Sequence, residues 1–242
     1  MTAHPGGQDP RTRELAQALA VVNGRIEAAC AATGRSPGEL TLVVVTKTHP
    51  VDDVIRLAGL GVRHVGESRD QEAGPKAAQV RAAVGDIGLH WHFVGRLQSN
   101  KARHVARYAD LVHSVDRASL VEALDRGAQA AGRRLDCLVQ VSLDVDPSRG
   151  GAPPRDVPGL ADRIAACAGL RLAGVMAVAP LDADPLVAFG TLVGVSTRLC
   201  RDHPDATVIS AGMSGDLEAA VTVGATHLRV GSAVLGHRAP LG

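Results

Sequence analysis

Aromatic residues are nearly missing from this chain of 242 residues, which has one tryptophan, one tyrosine and two phenylalanines. Packing must rest on Ala, Val and Leu, and the stacking surfaces that grip unpaired nucleic-acid bases have little to be built from. A surplus of one charge is missing too. Lys plus Arg number 26 against 25 Asp plus Glu, a formal net charge of +1, which argues against the broad positive field that nucleic acid or an anionic membrane attracts. The four cysteines, Cys30, Cys137, Cys167 and Cys200, stand far apart without the paired spacing of a zinc site and read as reduced thiols. No secretory apolar stretch opens the chain. The expectation is a cytoplasmic protein without a metal, nucleic acid or membrane partner.

What is present is alternation. Residues 1–11 carry Pro5, Gly6, Gly7 and Pro10 with little to bury and are expected to form a mobile tail, as are residues 237–242. Leu15, Leu19, Val22 and Ile26 recur at helical spacing from Thr12 to the stop at Gly34. Strand signals then follow at residues 40–47, 62–66, 91–94, 111–115, 136–142, 171–178, 207–210 and 227–230. Between them lie helix patterns at 51–60, 70–84, 100–107, 117–131, 157–168, 185–201 and 216–223, and a short apolar turn at 232–235. Eight such units, with no interior linker, predict a single α/β domain over residues 12–236, a (β/α)8 TIM-like barrel with an extra N-terminal helix. An open doubly wound sheet is the alternative. The stretch 144–159 is long for a loop and overhangs the carboxyl end of strand five, as either a solvated connector or a lid.

The first strand, Leu-Thr-Leu-Val-Val-Val-Thr-Lys, is apolar almost throughout and ends at Lys47, as suits a parallel strand buried on both faces. Alternation puts Val43, Val45 and Lys47 on one face, with the amine at the carboxyl end, where such sheets place their chemistry. The stem can pack while the ammonium reaches water. The other reading is a nucleophilic amine, which burial among valines and nearby cations would favour by destabilising the charged form.

A barrel's common phosphate site lies in the loops after strands seven and eight. Here those loops read Ser210-Ala-Gly-Met-Ser-Gly215 and Gly231-Ser232. Backbone N–H groups at helix starts receive a dianion, and glycine permits close approach. Ser214 could instead cap the following helix. Strand parity turns Arg229 inward with His227, so its guanidinium needs either a ligand or an acidic partner. Pyridoxal phosphate has an anion for Ser214 and Ser232, an aldehyde for Lys47 and a ring nitrogen for Arg229.

These residues lie in stretches that resemble a known family. Val-Thr-Lys-Thr around Lys47, Gly66-Glu67-Ser68, His92-Phe-Val-Gly-Arg-Leu-Gln-Ser-Asn-Lys101, Gly174-Val-Met-Ala, Ser210-Ala-Gly-Met-Ser-Gly-Asp216 and Arg229-Val-Gly-Ser-Ala-Val-Leu-Gly236 resemble, in order, the motifs of the YggS/PROSC pyridoxal phosphate homeostasis proteins. The resemblance implies a barrel similar to the N-terminal domain of alanine racemase, with Lys47 as the internal aldimine lysine. It implies a cofactor set of Lys47, Ser68, His92, Ser210, Met213, Ser214, Gly215, Arg229, Gly231 and Ser232. It also implies control of vitamin B6 and amino-acid pools rather than a defined turnover, with amino acids as further ligands, apo pyridoxal phosphate enzymes as candidate acceptors, and a monomer. Ser68 stands where the family has Asn, and Arg149 where a lysine often precedes glycine.

Two other functions compete, an amino-acid racemase or decarboxylase using the same cofactor and a cofactor-free aldolase acting through the lysine. The basic stretch Lys101, Arg103, His104 and Arg107 reads as a solvated helix face, His90 and His92 as structural, and Met176 as core.

Overall fold

An Asp-Pro pair starts the first helix. In the computed structural model, which describes residues 9–144 and 150–236, the Asp9 carboxylate accepts from the backbone N–H groups of Arg11 and Thr12 at 3.0 and 3.3 Å. Pro10 then occupies the first turn, where its missing N–H leaves no bond unmade. Helix α1 (Pro10–Thr33) therefore begins two residues before the expected Thr12, while the rest of the expected N-terminal tail and residues 237–242 lie outside the described residues. Leu15, Leu19, Val22 and Ile26 are its buried stripe, and Gly34 at φ 68° ends it.

Eight strands and eight further helices follow in strict alternation: β1 (Thr41–Val45), α2 (Val51–Gly59), β2 (His64–Glu67), α3 (Asp70–Val84), β3 (His90–Phe93), α4 (Ala102–Val105), β4 (Leu111–Val115), α5 (Ala118–Ala130), β5 (Leu135–Gln140), α6 (Val157–Ala165), β6 (Leu170–Met176), α7 (Pro185–Asp202), β7 (Val208–Ser210), α8 (Leu217–Val223), β8 (His227–Val230) and α9 (Ser232–Leu235). The strands are parallel throughout, and β8 closes on β1 through pairs such as Thr41 with His227 and Val43 with Arg229. This is the expected (β/α)8 barrel. The helix expected at 100–107 is shorter, a 3-10 turn at Ser99–Lys101 running into one turn of α4.

A barrel needs its outer face covered all round, and α9 is a single turn. Helix α1 takes the vacant place, packing on α8, α9 and α2 across the seam between β8 and β1. Arg11 ties it to Asp53 at 2.9 Å and to the Leu235 carbonyl at 3.0 Å. Arg25 pairs with Glu218 at 2.7 Å.

The main core lies between sheet and helices, where Val44, Leu57, Leu228 and Val230 are among its buried members. Inside the barrel, one side is apolar, with Leu111, Leu138, Ala173 and Met176 in one cluster, which fits the expected core role of Met176. Gly174, at φ 150°, has no alternative there: a Cβ would lie 1.9 Å from the Val208 carbonyl of the next strand. The other side of the interior is polar.

The long stretch after β5 is not an open loop in its described part. Ala152 bridges to Val141, with Ser142 N–H donating to the Ala152 carbonyl and Ala152 N–H to the Gln140 carbonyl, both at 2.8 Å. A 3-10 turn at Pro154–Asp156 then leads into α6. Arg149 lies outside the described residues.

Candidate functional site

Strand β1 stops at Val45, two residues short of the lysine. Thr46 still donates its N–H to the Gly66 carbonyl at 2.8 Å, but its buried side chain turns to Glu67 Oε1 at 2.7 Å. The chain then reverses through Thr48, at φ 66°, whose N–H donates to Glu72 at 3.2 Å. Lys47 is thus exposed on a turn at the barrel's carboxyl mouth. The expected position holds. Of the two readings of its side chain, the one with the ammonium in water is what is found, because the strand's apolar run ends before the lysine is reached.

The turn is anchored from below. Lys76 of α3 reaches between helix and sheet and donates to Glu67 Oε1 at 2.7 Å and to the Thr46 carbonyl at 2.9 Å. Glu67 is fully buried, and its other oxygen, Oε2, is buried without a partner. A helical lysine nine residues after a strand glutamate has no local signature, so sequence reasoning passed over this cluster.

The two glycine–serine loops do meet. Ser232 donates its hydroxyl to Ser214 Oγ at 3.2 Å, and the Ala233 N–H, in the first turn of α9, donates to the same oxygen at 3.3 Å. Ser214 therefore turns toward α9 rather than capping α8. Asp216 meets the Met213 N–H at 2.5 Å, so that N–H is already engaged. Arg25 of α1 holds the Ser214 carbonyl at 3.0 Å. Met213 and Gly215 are exposed, and Gly231 lies against the end of β1, where an added Cβ would sit 3.3 Å from the Val45 carbonyl. The loop after β8 is thereby brought beside the strand that leads to Lys47.

Arg229 is only 5% exposed. Its guanidinium donates to Ser210 Oγ at 2.6 Å and to the Ala177 carbonyl at 2.8 Å. Both partners are neutral, so the acidic partner considered from sequence is not what holds it. Burial lowers its pKa to about 10, with Asp216 opposing, and it stays a cation at neutral pH. Ser210, at the end of β7, is buried inside the barrel rather than lying in the phosphate loop itself.

His92 is buried with both ring nitrogens engaged, by His64 and by His113 at 2.9 Å each. Burial, then the neighbouring His64, His227 and His90, hold its pKa well below the usual imidazole range. His113 is also held well below the usual imidazole range, by burial, His92, Arg229 and His227, and burial takes His227 to about 4. His227 was read as inward together with Arg229, whereas His64 and His113 were not singled out from sequence, although each stands at an inward position of its strand by simple parity. Among the described residues no group is arranged to hold a metal ion.

Ser68 lines a cavity of about 600 Å³ with Arg96, Gln98 and Arg117, a lining that includes no residue of the phosphate loops. Tyr108 lines another, of about 850 Å³, on the flank beside α3, where burial and Asp70 raise its pKa above the usual phenol range. Arg103, His104 and Arg107 are exposed, as a solvated face requires.

The chain, a parallel eight-stranded barrel with a lysine after its first strand and glycine–serine loops after its last two, matches the family of the alanine racemase N-terminal domain over residues 26–239. A pyridoxal phosphate homeostasis protein of Mycobacterium tuberculosis is 47% identical over 254 aligned positions, covering 98% of each chain. The one of Escherichia coli strain K12 is 34% identical over 232, covering 93% of this chain and 97% of that one. The solved structure of PipY from Synechococcus elongatus PCC7942, with pyridoxal phosphate bound, superimposes with a TM-score of 0.79 at 32% identity, over 92% of this chain and all of that one. Within that barrel class, this chain belongs to the pyridoxal phosphate homeostasis protein family.

Proposed function

We propose that this chain binds pyridoxal 5'-phosphate as an imine on Lys47 and serves intracellular vitamin B6 and amino-acid homeostasis, as a cytoplasmic monomer. The phosphate is received by the loops carrying Ser214 and Ser232, and the ring nitrogen faces Arg229. The bound cofactor would supply an aldehyde that exchanges between Lys47 and amino acids. The protein's own part is to orient it. The observation that carries this reading is the meeting of the two loops at Ser214 and Ser232, 3.2 Å apart, with Gly231 against the end of β1. It brings hydroxyl donors and the strand leading to a free amine to one mouth of the barrel.

Among the described residues no helix is long and apolar enough to cross a membrane, in keeping with the proposed location. The cationic Arg229, held by neutral partners, disfavours a proton on the ring nitrogen and so weakens the cofactor as a sink for carbanion charge. That suits a carrier better than a racemase or decarboxylase, and apo pyridoxal phosphate enzymes are the acceptors it would serve. The test is the visible spectrum of protein mixed with pyridoxal phosphate, before and after borohydride. A reducible band that disappears in Lys47→Ala supports the reading, and a band retained in that variant would move the imine to another lysine.

A further inference from the structure

The polar side of the barrel interior is joined end to end. His64 Nδ1 lies 2.9 Å from His92 Nε2, His92 Nδ1 2.9 Å from His113 Nε2, and His113 Nδ1 2.9 Å from Ser210 Oγ, to which Arg229 donates at 2.6 Å. His64 opens β2 at the amino-terminal end of the barrel and is half-buried, whereas His92, His113, Ser210 and Arg229 are buried. Five side chains from β2, β3, β4, β7 and β8 thus form one line from solvent at one end to the guanidinium that faces the opposite mouth.

The line has a direction. A guanidinium has donors only, so Ser210 accepts from Arg229, and its own buried proton goes to the acceptor within reach, His113 Nδ1. A neutral imidazole that accepts on one nitrogen carries its proton on the other. His113 therefore donates from Nε2 to His92 Nδ1, and His92 donates from Nε2 to His64 Nδ1. Reversing any one neutral ring sets two N–H groups, or two lone pairs, face to face.

The geometry points to a directed hydrogen-bond relay in which His113 and His92 are positioning residues for Ser210 and Arg229, and through which protonation of His64 at the far end reorganises the cofactor mouth. A protonated His64 donates from both nitrogens, so His92 can no longer donate to it. His92 and His113 must each move their proton from Nε2 to Nδ1. The Ser210 hydroxyl, now accepting from His113 as well as Arg229, must turn its own proton elsewhere. Between the two end states the line gains one proton, the second on His64, while His92, His113 and Ser210 each keep one, and none leaves. His64 is faced by His90 and His92 of β3, by His227 of β8 and by Asp110 before β4. Burial and His90 lower its pKa and Asp110 opposes them, so the switch falls on the acid side of ordinary histidine.

The relay belongs to the ligand-free protein, and only its service to a cofactor rests on the function proposed above. Nitrogen-15 spectra of histidine-labelled protein without ligand test it with no substitution. At neutral pH, His92 and His113 are expected as Nε2–H tautomers, and both should change together at the pH where His64 titrates. An Nδ1–H tautomer on either ring at neutral pH, or independent titration, would overturn the relay. With pyridoxal phosphate added, the visible band should show a step at the same pH that is lost in His64→Gln, and a step that survives that change would overturn the coupling. Absence of any visible band would sink the cofactor reading while the tautomer result still decides the relay.

Discussion

Replacing Lys76 by methionine tests how the turn that carries Lys47 is held. Lys76 and Glu67 pair at 2.7 Å with side-chain exposures of 7% and 0%, and Lys76 also holds the Thr46 carbonyl, one residue before the candidate nucleophile. Methionine fills the space of the stem but leaves a fully buried carboxylate with the Thr46 hydroxyl as its remaining donor. Breaking a buried pair from one side costs about 3–5 kcal/mol. Adding Glu67→Gln removes the stranded charge while leaving an oxygen to accept from Thr46, so the double variant should cost only about 1–2 kcal/mol, of the order of the lost hydrogen bonds. Glu67→Gln alone should cost at least about 1 kcal/mol, since Lys76 loses its buried counter-charge, so the cycle should show a coupling of at least about 2 kcal/mol, against about 0–1 for the exposed Arg25–Glu218 pair treated the same way. Urea unfolding followed by circular dichroism measures all of these. If Lys76→Met and Glu67→Gln add within about 0.5 kcal/mol, the pair is not acting as a buried unit and the reasoning fails.

Three further outcomes are expected. Ser214→Ala with Gly231→Val should weaken pyridoxal phosphate by about tenfold or more, as loss of a hydrogen bond to a charged group implies, and unphosphorylated pyridoxal far less; equal losses for the two ligands, read by spectroscopic titration, would remove the phosphate from these loops. Stability should fall on mild acidification: His92, His113 and His227 are held below the unfolded imidazole value of about 6.5, so the unfolded chain takes up the extra protons and stability is lost as pH drops from there toward the folded values, about 4 for His227. A urea midpoint unchanged between pH 7 and pH 5, as an order-of-magnitude window above most carboxylates, would contradict this. Finally, the protein should not racemise L-alanine at an enzyme-like rate, because racemisation needs a base on each face of the substrate and the single tyrosine, Tyr108, is half-buried on the flank beside α3. Rapid D-alanine formation in deuterated water that vanishes in Lys47→Ala would show the opposite.

Local pattern carried the architecture of this protein. The bounds of α3, β4 and β8 coincide with the stretches 70–84, 111–115 and 227–230 read from apolar spacing and turn residues, because those periods are set within one element. Parity along β8 likewise turned Arg229 inward and Leu228 and Val230 toward the helices. What the pattern could not carry is which inward side chains meet. His64, His92, His113, Ser210 and Arg229 are spread over much of the chain and come into line only through the stagger of successive strands around the closed sheet, which no single strand encodes. Lys47 was found by its place after an apolar run, but its exposure depends on where β1 stops pairing with β2, and its anchoring on a lysine from α3. The cover supplied by α1 has the same origin: its apolar stripe is legible in sequence, while the seam it fills exists only once β8 has closed on β1.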